Sequence, residues 1–315
     1  MVRPVRPLPS MEGRVCVLTG PTSGIGRVMA GALARAGATL VLVARNPVRG
    51  EALVRQLTLE TGNPEIRLVP ADLARRREVE AAAGEIRERY PVVHLLLNNA
   101  GAIFGKRQVT DEGHEMTWAL NVLAPYLLTC RLAPELRQGS PSRVVNVASA
   151  AHRSAHIRWD DPERASHYGG YGAYGQSKLA LLLLTYEFAR RLSDSGISVH
   201  AVHPGFVRTR FGQNVPGGYR WGFRLLTRLF GIPPERGART PLYAATSAEG
   251  GRSTGRYFVR ERPVRSSGAS YRVEDARRLW EIVRAATGVD LDPAAGAGRR
   301  DRPMGPGSSA SPPAS

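Results

Sequence analysis

Tyr174 and Lys178 lie four residues apart, the interval that stacks two side chains on one face of a helix. An ammonium beside a phenol favours the phenolate and lowers a pKa that is about 10 in isolation. A phenol tuned toward neutrality can give or take a proton during a reaction. Tyr168 and Tyr171 precede Tyr174, but neither has a lysine four residues on. Among 44 lysines and arginines, only Lys106 and Lys178 are lysine. A chain that uses arginine almost everywhere keeps lysine where a compact ammonium on a flexible stem is needed. Taken alone, the spacing fits a surface lysine beside a buried tyrosine equally well.

A second constellation sits near the start of the chain. The apolar β run 14–19 is followed at once by Gly20-Pro21-Thr22-Ser23-Gly24-Ile25-Gly26, and a helical pattern then runs from about 25 to 36. Strand, glycine turn and helix together make an anion site. The glycines let the backbone approach a phosphate, and the helix start offers free N–H groups and a positive dipole. A second strand, 39–43, ends in Ala44-Arg45-Asn46. A carboxylate there would bond the ribose hydroxyls of NAD, whereas an arginine accommodates the 2′-phosphate of NADP. Arg45 therefore favours NADP(H), with NAD(H) the open alternative and a plain surface arginine the bland one.

The elements that must position these residues alternate along the chain. A helix over 48–61 leads to a strand at 66–69 and Asp72, which could touch an adenine or cap the helix expected from 75 to 90. A buried strand over 92–97 ends in Asn98-Asn99-Ala100-Gly101, suited to a ligand crevice or a plain turn. A helix over 111–136, bent at Pro125, carries Asn121 in its middle, where asparagine is a poor helix former. The strand 143–148 delivers Ser149, and a polar loop over 150–172 leads into the helix of Tyr174 and Lys178, which runs to 192. Its apolar stretch 179–184 implies burial or a subunit contact, so a homo-oligomer is left open. The strand 197–203 ends in Pro204-Gly205, and 206–232 reads as an amphipathic substrate lid or as an excursion packing on the body. A helix at 234–247, a strand at 256–259 and a helix at 273–287 follow. Strands alternating with helices predict an α/β, Rossmann-type doubly wound parallel sheet of about seven strands, with helices on both faces.

The remaining sequence bounds the function classes. Residues 1–10 are basic and proline-rich and read as a flexible terminus without a secretory signal. Residues 11–287 read as one domain, and 288–315 as a disordered Pro/Gly/Ser-rich tail. No apolar run is long enough to cross a bilayer, so no transmembrane anchor is expected. Cys16 and Cys130 form no disulfide or metal pattern, which suits a reducing cytoplasm. The net charge of +17 comes from scattered arginines without a nucleic-acid-binding signature, so no nucleic-acid partner is expected. No metal site is expected.

These motifs together resemble the short-chain dehydrogenase/reductase family over residues 11–287, and within it the retinol dehydrogenase-like branch. The resemblance rests on Thr19-Gly20-x-x-x-Gly24-Ile25-Gly26, Asn98-Asn99-Ala100-Gly101, Asn121, Ser149, Tyr174-x-x-x-Lys178 and Pro204-Gly205. The branch is carried by Ala44-Arg45, the Trp159-Asp160-Asp161 loop, His203-Pro-Gly205 and Leu279-Trp280-Glu281. It implies an NAD(P)-dependent oxidoreductase acting on a small, apolar alcohol or carbonyl. Tyr174 would be the general acid or base, and Lys178 would hold the nicotinamide ribose. Ser149 would bond the substrate oxygen, and Asn121 would hold a water that relays protons. Gly20, Ser23 and Ile25 would line the pyrophosphate, with Gly24 and Gly26 in the same turn. Asp72 and Leu73 would meet the adenine, and Asn99 its ribose, flanked by Ala100 and Gly101. Pro204, Gly205 and Thr209 would border the nicotinamide. Ala148 stands where many relatives carry a second serine. The expected N-terminal apolar anchor of membrane-bound retinoid enzymes is not seen, which argues against a retinoid substrate. A non-catalytic dinucleotide-binding regulator on the same fold is the alternative; such a protein would be expected to lose some of the four catalytic positions, and none is lost.

Overall fold

The computed structural model describes residues 7–208 and 231–291. Eight strands form one sheet: β1 Val15–Thr19, β2 Thr39–Ala44, β3 Ile66–Pro70, β4 Leu95–Asn98, β5 Ser142–Val147, β6 Ile197–His203, β7 Arg256–Val259 and β8 Arg262–Val264. Their order is β3-β2-β1-β4-β5-β6-β7-β8. Every neighbouring pair is parallel except β7 with β8. The chain winds outward from β1 to β3, then returns to pair β4 with β1. That reversal opens a crevice at the carboxyl ends of β1 and β4.

Strand periodicity sends alternate residues to opposite faces, and two cores result. Val17, Val41 and Val43 face one core; Cys16, Leu18, Leu40 and Leu42 face the other. The first core is covered by α3 Arg76–Arg89, α5 Ala124–Arg131, α7 Gly170–Arg191 and α10 Val273–Thr287. The second is covered by α1 Gly24–Arg35, α2 Pro47–Thr61 and α8 Pro234–Thr246, which is followed by the short α9 Ala248–Arg252. The apolar stretch of α7 is spent inside the chain. Trp280 of α10 is fully buried and meets Tyr126 and Phe188 edge-on at 4.9 Å and 4.8 Å, geometries that aromatic quadrupoles favour. Both cysteines are buried, and burial pushes the Cys16 thiol up to about 12, so it packs as an inert apolar side chain.

The expected sheet of about seven strands is found with eight, β8 being joined to β7 by Arg260 and Glu261 at φ 51° and 62°. Three other expectations need correction. The expected helix over 111–136 is divided into α4 Met116–Trp118, a π-turn at Ala119–Leu123, α5 and α6 Ala133–Gln138. It starts late because the Glu115 carboxylate accepts from the Thr117 and Trp118 N–H groups at 2.9 Å and 2.8 Å; the π-turn around Asn121 runs directly into α5, whose first turn holds Pro125, and Leu132 separates α5 from α6. The strand expected from 92 begins at Leu95, since the Val93 N–H turns away to the Glu135 carbonyl at 2.9 Å. Packing also continues past Thr287. Val289 is buried, its carbonyl accepts from the Tyr126 hydroxyl at 2.8 Å, and Asp290 accepts from the Trp280 indole at 3.0 Å. Among the described residues, no helix is long and apolar enough to cross a membrane.

Candidate active site

The glycine turn closes the carboxyl end of β1. Gly20 has φ +65° and Gly24 φ +54°, both in the region that L side chains avoid. A Cβ on Gly26 would lie 2.1 Å from the Gly20 carbonyl oxygen and 2.7 Å from Asn99 Nδ2, so only hydrogen fits. Asn99 stitches the turn to β4: its side-chain amide donates to the Thr19 and Gly20 carbonyls at 2.8 Å and 3.0 Å. Thr19 Oγ1 accepts in turn from the Asn99 and Ala100 N–H groups, each at 2.9 Å. Ser23 precedes α1 in extended conformation. No side chain caps the helix, and its first turn holds no acid. A turn that excludes a Cβ at Gly26, opening a helix whose start no side chain caps, fits a dinucleotide pyrophosphate. Ile25, in that first turn, is half-buried against the second core.

Arg45 and Asp72 meet beyond the ends of β2 and β3, with a guanidinium-to-carboxylate separation of 4.0 Å. Arg45 is 73% exposed, so this loose pair leaves its guanidinium free to turn to another anion. Asp72 Oδ1 accepts from the Ala74 N–H at 3.1 Å. It shapes the turn before α3 without capping the helix, whose N-cap is Arg75. Leu73 is buried in the first core.

Asn121, Ser149, Tyr174 and Lys178 converge at the carboxyl ends of β4 and β5. The π-turn at 119–123 carries one extra residue in a helical turn, a device frequent at functional sites, and it turns Asn121 inward. Asn121 is buried. Its amide donates to the Ala102 carbonyl and to Ser177 Oγ, each at 3.0 Å, and its Oδ1 accepts from the Ala102 N–H at 3.0 Å. A Cβ on Gly101 would lie 3.0 Å from Asn121 Oδ1 and 3.3 Å from Lys178 Nζ. The bare α-carbon of Gly101 therefore lets both side chains reach one spot. Lys178 is buried and donates to the Val147 carbonyl at 2.9 Å, its ammonium 5.7 Å from the Tyr174 ring centroid.

Ser149 follows β5 and opens a short 3-10 helix, Ala150–Ser154, with its Oγ accepting from the Ala151 N–H at 3.3 Å. That contact leaves the hydroxyl proton to be donated elsewhere. Burial pushes the Tyr174 phenol up to about 12, against the downward pull of its hydrogen bond with Ser149. Burial also lowers Lys178 to about 8. The depressed phenol pKa expected from the i, i+4 spacing is thus absent among the protein's own groups, because desolvation outweighs a lysine turned toward Val147. Of the three tyrosines, Tyr171 is exposed, and the Tyr168 hydroxyl is spent on the Phe104 carbonyl and Glu115 at 3.0 Å and 3.1 Å.

Pro204 and Gly205 follow β6, with Gly205 at φ +94°. Thr209 and most of the segment expected as a lid lie outside the described residues. The chain on either side is joined: the Arg208 N–H donates to the Ile232 carbonyl at 2.8 Å, and the Ile232 N–H to Phe206 at 2.7 Å. Glu115 escapes a sequence reading, since glutamate is not a favoured N-cap. Its buried carboxylate nevertheless fixes both the entry to Asn121 and Tyr168 of the neighbouring loop. Among the described residues, no group of histidine, cysteine and carboxylate side chains could hold a metal.

Residues 14–219 match the model of a family described as short chain dehydrogenase. The chain is 38% identical over 290 residues to dehydrogenase/reductase SDR family member 13 of Bos taurus, covering 91% of this chain and 76% of that protein. It is 33% identical to retinol dehydrogenase 12 of Mus musculus, covering 90% and 89% of the two chains. Among solved structures, the RhlG/NADP active-site complex of Pseudomonas aeruginosa superposes with a TM-score of 0.64 at 27% identity. The match covers 80% of this chain and 96% of that one.

Proposed function

The chain belongs to the short-chain dehydrogenase family, in its retinol dehydrogenase-like branch, and from that premise we propose that it is an NADP(H)-preferring oxidoreductase interconverting an apolar alcohol and its carbonyl. The observation that carries the reading is the meeting of the Tyr174 hydroxyl with Ser149, one helical turn from the buried ammonium of Lys178. A bound nicotinamide would supply or take the hydride. Tyr174 gives its proton to the carbonyl oxygen in reduction and recovers it in oxidation. Ser149 donates to the same oxygen and stabilises the charge that develops there. Lys178 holds a positive charge beside the phenol, and Asn121 fixes the backbone around the proton path. Initial rates of NADPH and NADH oxidation against a panel of aldehydes and ketones test the reading. Turnover of no carbonyl by a protein that binds dinucleotide would favour the regulator instead.

Arg45 is the residue proposed to choose the dinucleotide. A phosphate pairing with its exposed guanidinium would gain charge-assisted hydrogen bonds that a ribose hydroxyl cannot match. Arg45→Asp is expected to raise the Kd for NADPH about 10- to 100-fold with little change for NADH, as read by quenching of protein fluorescence. Equal affinities before and after substitution would remove Arg45 from the phosphate site.

The two shifted groups also set the direction of pH dependence. Reduction needs the phenol protonated, and with Tyr174 near 12 it stays so at neutral pH. Reduction should therefore hold level until pH approaches about 8, then decline as Lys178 loses its charge. Oxidation needs the phenolate, which is scarce far below 12 and grows as pH rises. Its kcat/KM should climb by up to about tenfold per pH unit below the Lys178 pKa. Measuring kcat/KM in both directions across pH checks this; an oxidation rate level between neutrality and pH 8 would exclude Tyr174 as the base.

A further inference from the structure

His152 lies in the short 3-10 helix that begins after Ser149, and it is fully buried. Its Nδ1 sits 2.6 Å from the Ser149 carbonyl oxygen. A carbonyl only accepts, so Nδ1 carries the proton. Its Nε2 accepts from the Ser267 N–H at 3.1 Å, so that nitrogen carries the lone pair. Both ring nitrogens are thus committed to backbone, and they fix one neutral tautomer. Burial lowers the imidazole pKa, in keeping with that assignment. A proton on Nε2 would be driven against the Ser267 donor.

Ser267 is itself held from the other side. Next to it, Ser266 Oγ lies 2.7 Å from the Tyr186 hydroxyl, and the Ser266 N–H donates to the Tyr271 hydroxyl at 3.1 Å. Tyr271 stacks on Tyr186 with centroids 5.0 Å apart and planes 10° from parallel. Tyr186 belongs to α7, the helix that carries Tyr174 and Lys178. A second tie runs alongside, from the Arg153 guanidinium to the Arg265 carbonyl at 3.0 Å. The contacts therefore close a ring: Ser149, His152, Ser267, Ser266, Tyr186, then along α7 to Tyr174 and back to Ser149 through their hydrogen bond.

We propose that His152 is a positioning residue: by bridging the Ser149 carbonyl to the Ser267 N–H, it ties Ser149 to the segment 265–271 and through it to α7, and so sets the separation of Ser149 from Tyr174. This rests on the reading of Ser149 and Tyr174 as the groups that meet the substrate oxygen. His152 touches neither substrate nor cofactor. It acts through Ser149, whose hydroxyl has to stay in line with the oxygen that Tyr174 protonates. Small displacements of such a donor are costly, since a shift of about 1 Å can lower a rate on the order of 100-fold.

A double-mutant cycle tests the bridge. His152→Asn keeps a donor at the position of Nδ1 and loses the reach to Ser267, whereas His152→Gln keeps an acceptor near Nε2 and loses the bond to Ser149. His152→Phe removes both, and the two polar variants carry the test where the Phe variant does not fold. Each folded variant is expected to lower kcat about 10- to 100-fold, with the Kd for NADPH and the KM for the carbonyl within about threefold. In a Ser149→Ala background the same His152 substitutions should lower kcat no further, because residues acting as a unit are non-additive. An unchanged kcat in a folded His152 variant overturns the proposal, as does an equal fold-loss in both backgrounds. If Ser149→Ala alone leaves kcat intact, the catalytic reading of Ser149 falls and the proposal with it. If Ser149→Ala lowers kcat and the His152 losses add independently, only the positioning role falls.

Discussion

Tyr174→Phe is expected to lower kcat about 100- to 10,000-fold in both directions, with the Kd for NADPH unchanged within a few-fold. The substitution removes one oxygen and keeps the ring. That ring packs with Ile103 and Ala151 in a small buried cluster, so phenylalanine fills the same space. The lost hydrogen bond to Ser149 costs about 1 kcal/mol of stability at most, part of it offset by the relief of a buried hydroxyl. A large fall in turnover without a matching fall in Tm separates the proton-transfer role from a structural one. Tyr171→Phe is the control, since Tyr171 is exposed on the same helix and its loss should leave kcat as it was. Steady-state rates, dinucleotide titration and thermal melts on both variants decide the matter. Turnover of the Tyr174 variant within a few-fold of the parent would remove Tyr174 from the chemistry.

The second large effect comes from a single methyl group. Gly26→Ala would place a Cβ 2.1 Å from the Gly20 carbonyl oxygen and 2.7 Å from Asn99 Nδ2. The first of these is backbone in a turn already pinned by the Asn99 amide, so relief requires the turn to open. Overpacking of this kind costs about 1–3 kcal/mol. The movement also displaces the helix start proposed to hold the pyrophosphate. We expect a lower Tm and a Kd for NADPH raised about 100-fold or more. Gly84→Ala is the contrasting case, because Gly84 is exposed within α3 and a Cβ there meets nothing within 4 Å. It should raise stability by about 0.5–1 kcal/mol and leave dinucleotide affinity alone. A Gly26 variant that melts and binds like the parent would show that the turn has slack the geometry does not suggest.

The doubly wound sheet is legible in the sequence because parallel strands buried on both faces appear as short apolar runs, set off by helices with a periodic face. Most strand and helix limits follow from that pattern alone. The departures have local causes. β8 is three residues long, holds Pro263 and is exposed along its length. Its hairpin turn uses Arg260 and Glu261 at positive φ, where the usual signal is asparagine or glycine. The π-turn at Asn121 leaves no compositional trace beyond a poor helix former at its centre. At the candidate site, the spacing of Tyr174 and Lys178 is visible in the sequence and the direction of the phenol's pKa is not. Spacing says that two groups are near each other; burial, which no short motif encodes, decides which protonation state prevails. Glu115 and His152 escape notice for a related reason, since their partners are backbone groups or residues far away in the chain.

All of residues 173–189 in α7 are buried, with the sheet on one side and α10 on the other. A helical stretch without a wet face has no position at which change is free. Neutral drift, which accumulates where side chains meet water, therefore has almost no purchase on the stretch that carries Tyr174 and Lys178. Diversification toward new substrates has to come from elsewhere, in the connections that leave the carboxyl ends of β5 and β6. Those segments can be rewritten while the helix of Tyr174 and Lys178 between them stays the same.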